Sequence, residues 1–129
     1  MTLPKTFTRL MMANLLNLIN KIVLVPFPFD DLSSSKVRPA ICLTNPVGKH
    51  THVVLAFITS QLPEKPEPSD IIINKDTEDF EPTGLRVSSA VRLHRLMTVT
   101  TELIRRELGE LSPKHQEEVK QKLHKLFQL

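Results

Sequence analysis

Arg38 stands where a polar loop meets a strand, a position from which one cation can be offered to an anion. The stretch Lys21 to Thr44, KIVLVPFPFDDLSSSKVRPAICLT, places two β-branched strands around that loop, and Pro39 stiffens the backbone immediately after the arginine. A guanidinium is always charged and carries a fork of donors, which suits phosphate and carboxylate oxygens. The shorter run Phe57-Ile58-Thr59-Ser60-Gln61 downstream belongs with it as the second part around which the chain is organised.

Other chemistries have less to stand on. Five histidines are present, and His50-x-His52 lies beside a turn, but no third ligand is near in sequence, so a solvated turn is expected rather than a metal site. His94 sits between Arg92 and Arg95 at a strand edge, where a surface role is the default. Cys42, the only cysteine, lies in the apolar run Ala40-Ile41-Cys42-Leu43 and reads as a small buried hydrophobe; with no partner it forms no disulfide, which fits a reducing cytosol. Three glycines in the whole chain leave no phosphate-cradling loop, which speaks against P-loop nucleotide hydrolysis.

The elements that must position Arg38 are strands. Ile22-Val23-Leu24-Val25 is a β-branched run that Pro26-Phe27-Pro28-Phe29 ends, because proline cannot donate to a ladder. Asp30 to Lys36 is a loop, Val37 to Thr44 a second strand, Asn45 to Gly48 a turn, and Thr51 to Thr59 a third strand apolar enough to be buried on both faces. Leu62 to Ser69 is a proline-rich loop, Asp70 to Ile73 a short strand, and Asn74 to Thr83 an acidic loop before a turn at Gly84. Ser89 to Val99 is one bent strand or two strands meeting near His94, and Thr100 to Leu111 fits either a helix or a strand. Ser112-Pro113 starts a helix as N-cap and first residue, and Val119, Leu123, Leu126 and Phe127 give it an apolar stripe to close the core. Short strands with one terminal helix, and no βα alternation, predict a mainly β (α+β) domain built on a small, strongly bent sheet or barrel.

Residues Met1 to Asn20 read as a separate extension, with Leu3, Phe7, Leu10, Met11, Leu15, Leu18 and Ile22 near helical spacing. Asn14 and Asn17 interrupt the apolar patch, no small-residue cleavage site follows, and the patch is too short to span a bilayer, so a soluble extension is expected; Met11 and Met12 leave a later translation start open.

At 129 residues, 40% hydrophobic and 24% charged, the chain has the composition of one folded soluble domain. The net charge of +3 hides an asymmetry: Leu62 to Pro82 carries seven acids against two lysines, a balance of −5, which leaves +8 on the rest. A basic body of that size is compatible with a polyanionic partner, as it is with an unevenly charged solvated surface.

Taken together, the residues resemble a family. Ile22 to Phe29, the loop Asp31 to Lys36, Arg38-Pro39-Ala40 and then Ile58-Thr59-Ser60-Gln61 are similar to the PemK/MazF toxins of type II toxin–antitoxin systems. Gly84-Leu85, Val91-Arg92-Leu93 and Leu108-Gly109-Glu110-Leu111-Ser112 extend the resemblance over about Lys21 to the C-terminus. It implies a 21–129 toxin domain, an SH3-like β-barrel with a C-terminal α-helix, after a 1–20 extension. It also implies a cytoplasmic homodimer, without membrane attachment, that cleaves single-stranded RNA at short sequences and is blocked by a cognate antitoxin. No metal or other cofactor is implied. By the same resemblance Arg38 and Thr59 are the catalytic residues, and Ser60 and Gln61 shape the site; Ser35, Lys36 and His94 join them as expected substrate contacts.

The chemistry agrees with that transfer. RNA can be cut by its own 2′-hydroxyl, and the charge that develops on the phosphoryl oxygens is what a guanidinium stabilises, while a threonine hydroxyl can orient the phosphate. Arginine is a poor base, and His94 is the candidate helper for the proton. Asn20-Lys21 stands where relatives commonly carry glycine and an acid, and asparagine tolerates the left-handed turn. His94-Arg95 stands where an acid is common, which bears on the RNA sequence recognised. A topoisomerase poison of the same fold would not need the Arg38/Thr59 pair, and a non-catalytic SH3-like RNA- or peptide-binding module would keep the basic groove without cleavage.

Overall fold

The computed structural model describes residues 17–26 and 36–129. Among these, six strands make one antiparallel sheet: β1 (Lys21–Pro26), β2 (Val37–Cys42), β3 (His52–Thr59), β4 (Asp70–Ile73), β5 (Ser89–Thr100) and β6 (Arg106–Glu110). Their spatial order is β4-β5-β3-β2-β1-β6, and one helix, α1 (Pro113–Phe127), follows. The sheet curls into a half-barrel, the mainly β architecture with a C-terminal helix that the sequence leads one to expect.

Two slips in pairing bend it. Along β3 and β5, Ala56 stands opposite Leu96 but Phe57 stands opposite Arg92, so Leu93, His94 and Arg95 are left over on β5. Such a bulge kinks the strand and increases its twist. Ser89 to Thr100 is thus one strand bent near His94, and its first half also carries β4. A second slip lies between β1 and β6 at Ile22 and Val23.

Because the sheet is bent, both of its faces bury side chains. Leu18, Val23, Val25, Cys42, Val53 and Leu55 form one core, with Phe57 packed against it. Ile22, Ile41, Ile58, Ile71, Val91, Leu93, Leu111 and Val119 form the other. Burying one Val, Leu or Ile contributes about 1.5–3 kcal/mol. An exposed ion pair such as Lys21–Glu110, at 3.5 Å, contributes about 0–1 kcal/mol, so apolar packing decides the stability.

The segment that fits either helix or strand, Thr100 to Leu111, becomes a 3-10 turn over Thr101–Leu103 and then β6. Ile104 packs on the first core and Leu108 on the second, so their helical spacing serves two faces of a sheet. In α1 the Ser112 side chain accepts from the His115 N–H as predicted for the cap. The stripe closes the core only in its first half: Val119 is buried and Leu123 half-buried, while Phe127 is 54% exposed. The helix runs past the sheet it covers.

The expected helix over Met1 to Asn20 lies outside the described residues up to position 16. Asn17 to Asn20 form a turn, with Leu18 in the first core and the Leu18 and Ile19 N–H groups donating to Asn45 Oδ1 at 2.8 and 2.9 Å. Asn20 adopts φ 71°, the left-handed conformation anticipated for it. No helix among the described residues is long and apolar enough to cross a membrane.

Candidate active site

Arg38 is half-buried near the start of β2, opposite Val25. The β2–β3 pairing ends at Ala40 opposite Phe57, next to Pro39, which has no N–H to donate. Continued two residues beyond that pair, the register brings Arg38 level with Thr59. Since side chains alternate along a strand, both then lie on the face that carries Ala40 and Phe57. Thr59 closes β3 opposite Ala90. Its Oγ1 accepts the Gln61 N–H at 3.1 Å, so the hydroxyl proton remains to be donated. Ser60 and Gln61 are exposed just past the strand end, and Lys36 is exposed before β2. Ser35 and the loop acids Asp30 and Asp31 lie outside the described residues.

A cavity of about 250 Å³ adjoins this strand end, with Arg38 and Ser60 among its lining residues and Thr59 not among them. Leu24, Ile58 and Leu108 supply apolar lining, and two further arginines, Arg86 and Arg106, also line it. Neither is expected from the sequence. They arrive because the turn after the 3-10 segment Glu81–Thr83 presses against β6: a Cβ on Gly84 would land on the Leu108 carbonyl, and one on Gly109 on the Pro82 carbonyl. Gly84 also needs φ 72°. The only local signal is a glycine turn followed by a cation.

His94 is not brought to this cavity. It sits on the β5 bulge, its Nδ1 2.8 Å from Ser69 Oγ and 3.9 Å from Asp70 Oδ1. With Arg92, Lys122 and Lys125 it lines a second cavity, of about 470 Å³, between α1 and the β4–β5 end of the sheet. The Asp70 carboxylate there is fully buried, receiving Arg92 Nε at 3.0 Å and the Glu67 N–H at 2.8 Å, while Lys122 Nζ donates to its carbonyl. Burying an unpaired carboxylate is costly, and these donors hold it in place. Arg95, also on the bulge, swings its guanidinium over the Phe57 ring, 4.6 Å from the centroid.

Two other candidates resolve simply. Burial, with the Glu107 charge adding to it, pushes the Cys42 thiol up to about 12, which leaves it a neutral core group. His50 and His52 are exposed, their rings 6.0 Å apart, and among the described residues no three His, Cys, Asp or Glu side chains converge as metal ligands would.

Comparison with known proteins agrees with the fold. Residues 20–127 match the family described as the PemK-like, MazF-like toxin of type II toxin–antitoxin systems. No curated protein matches in sequence. Among solved structures, the Mycobacterium tuberculosis toxin MazF-mt6 superposes with a TM-score of 0.65 at 20% identity, covering 84% of this chain and 97% of that one. A mycobacterial endoribonuclease in complex with its cognate antitoxin gives 0.65 at 16% identity, over 87% and 95%. MazF from Deinococcus radiodurans gives 0.63 at 22% identity, over 86% and 96%. At these identities the superpositions speak for the fold, and the family assignment comes from the sequence match across residues 20–127. On that match the chain belongs to the PemK/MazF family of toxins.

Proposed function

We propose that this chain is a metal-independent endoribonuclease toxin that cuts single-stranded RNA through its own 2′-hydroxyl. The observation that carries the reading is the register of β2 on β3, which supports Arg38 and Thr59 acting together from one face. In this step the 2′-oxygen attacks phosphorus and the P–O5′ bond breaks. The upstream fragment ends in a 2′,3′-cyclic phosphate and the downstream one in a 5′-hydroxyl. The 2′-hydroxyl proton must leave and one must reach the departing 5′-oxygen. Arg38 stabilises the charge gathering on the non-bridging oxygens, and the Thr59 hydroxyl, oriented by the Gln61 N–H, donates to the same phosphate. Ser60 with Arg86 and Arg106 extends the basic wall along the chain of the substrate. Lys36 and Ser35 contribute from the segment before β2. Since His94 lies in the second cavity, its part is contact with the flanking RNA rather than with the reacting oxygen.

The family assignment supports the rest of the reading. The protein works in the cytoplasm as a homodimer on a 21–129 toxin domain. A cognate antitoxin blocks the groove; the mycobacterial endoribonuclease of similar fold is itself in complex with its own antitoxin. The exposed Phe127 and Leu129 at the end of α1 support a protein contact there. The test is incubation with single-stranded RNA in EDTA. Cleavage that leaves 5′-hydroxyl ends, open to phosphorylation by a polynucleotide kinase, is expected. RNA that is bound but stays intact would instead favour a non-catalytic module.

A further inference from the structure

Two arginines reach the neighbourhood of Phe57, and only one is committed. Arg92, opposite Phe57 on β5, gives Nε and Nη2 to the buried Asp70 carboxylate at 3.0 and 3.4 Å. Arg95, one of the three residues left over at the bulge, has no carboxylate partner among the described residues; its guanidinium lies over the Phe57 ring, 4.6 Å from the centroid. That distance is within cation–π range, and a bulge is a device that re-aims side chains in this way. Phe57 is in turn held from below, packed against the first core. Arg95 itself is exposed, so its guanidinium is within reach of a ligand while it stays over the ring.

The location gives this stack its meaning. Phe57 lies on the same face as Thr59, two residues back along β3, roughly 7 Å away at the rise of a strand. A nucleotide bound with its phosphate at Arg38 and Thr59 would therefore have a neighbour within reach of Arg95. Arginine planes and aromatic rings are surfaces on which unpaired bases stack, and stacking tolerates any base while favouring the larger ones.

We propose that Arg95, held over Phe57 by the β5 bulge, is the platform on which a base next to the scissile phosphate stacks, fixing the position of the RNA chain; this rests on the endoribonuclease reading. The phosphate is held by Arg38 and Thr59, and the base beside it is held by Arg95.

The test uses short single-stranded 2′-O-methyl RNAs, which cannot be cut by 2′-hydroxyl attack, carrying 2-aminopurine at each position in turn. With the wild-type protein, fluorescence should be quenched at one or two adjacent positions. Arg95→Ala should lose that quench and bind about ten-fold or more weakly. Arg95→Lys keeps the charge but not the plane and should fail to restore the quench. The proposal is overturned if the wild type quenches no position, if Arg95→Ala binds and quenches unchanged, or if the lysine variant performs as well as arginine. Cleavage of unmodified RNA, followed separately, keeps the two readings apart. Arg95-dependent quenching without cleavage would sink the nuclease and retain the platform, and cleavage indifferent to Arg95 in rate and cut-site preference would do the reverse.

Discussion

The Thr59 hydroxyl accepts the Gln61 N–H, and that one bond sets the direction in which its proton can be given. Arg38 stands two residues before the Ala40–Phe57 pair and Thr59 two residues after it, on neighbouring strands. Both are legible in the sequence because they sit in short motifs whose order and spacing are local properties. Arg86, Arg106 and the Arg95–Phe57 stack are not, since each depends on how distant strands and turns meet. His94 is expected at a strand edge but lies on the bulge of β5, an interior strand, and its surroundings are set by the three-residue slip, which no local pattern reveals. Cys42 offers a prediction at this scale. With its thiol pushed up to about 12 by burial, the native protein should resist alkylation at about pH 8.5 and react fully once unfolded in guanidinium. Equal rates in the two states would mean the strand opens readily.

At the level of elements, two slips in pairing bend the sheet that carries Arg38 and Thr59. The bend in β5 is legible as a break in alternation near His94, and the cap of α1 as Ser112-Pro113, because both are written in neighbouring residues. The fate of Thr100 to Leu111 is not: Ile104 and Leu108 suit a helix until two separate cores are present to receive them. The approach of the Gly84 turn to β6 is equally hidden, and it builds one wall of the Arg38 cavity. Gly109→Ala forces a methyl group onto the Pro82 and Thr83 backbone and should lower the unfolding free energy by about 1–3 kcal/mol. Urea unfolding would read this as an earlier midpoint; an unchanged midpoint would mean that the turn yields without cost.

For the whole molecule, half of the fourteen acids fall in the sequence between Leu62 and Pro82, which leaves the rest of the chain basic. Asp70 among them is buried against Arg92, and it serves the junction of β4 with β5 rather than the surface. Arg38, Arg86 and Arg106 line the cavity beside the start of β2. A single-stranded nucleic acid that neutralises about three of these cations releases counterions in proportion, so log K should fall against log salt with a slope of about −2. Affinity for uncleavable RNA should then drop roughly twenty-fold between about 50 and 200 mM salt. A flat salt response would point to a ligand recognised by something other than phosphate.

The proposed function depends on Arg38 stabilising the charge of a phosphate that is cut without a metal ion. Single-turnover cleavage of single-stranded RNA in excess EDTA, by the wild type and by Arg38→Ala and Arg38→Lys, meets that dependence head-on. Expected are wild-type cleavage to 5′-hydroxyl ends, a loss of about 100-fold or more in rate for the alanine variant, and partial activity for the lysine, which keeps charge but not the fork. Full activity of Arg38→Ala, or no cleavage by the wild type until a divalent metal is added, would contradict it.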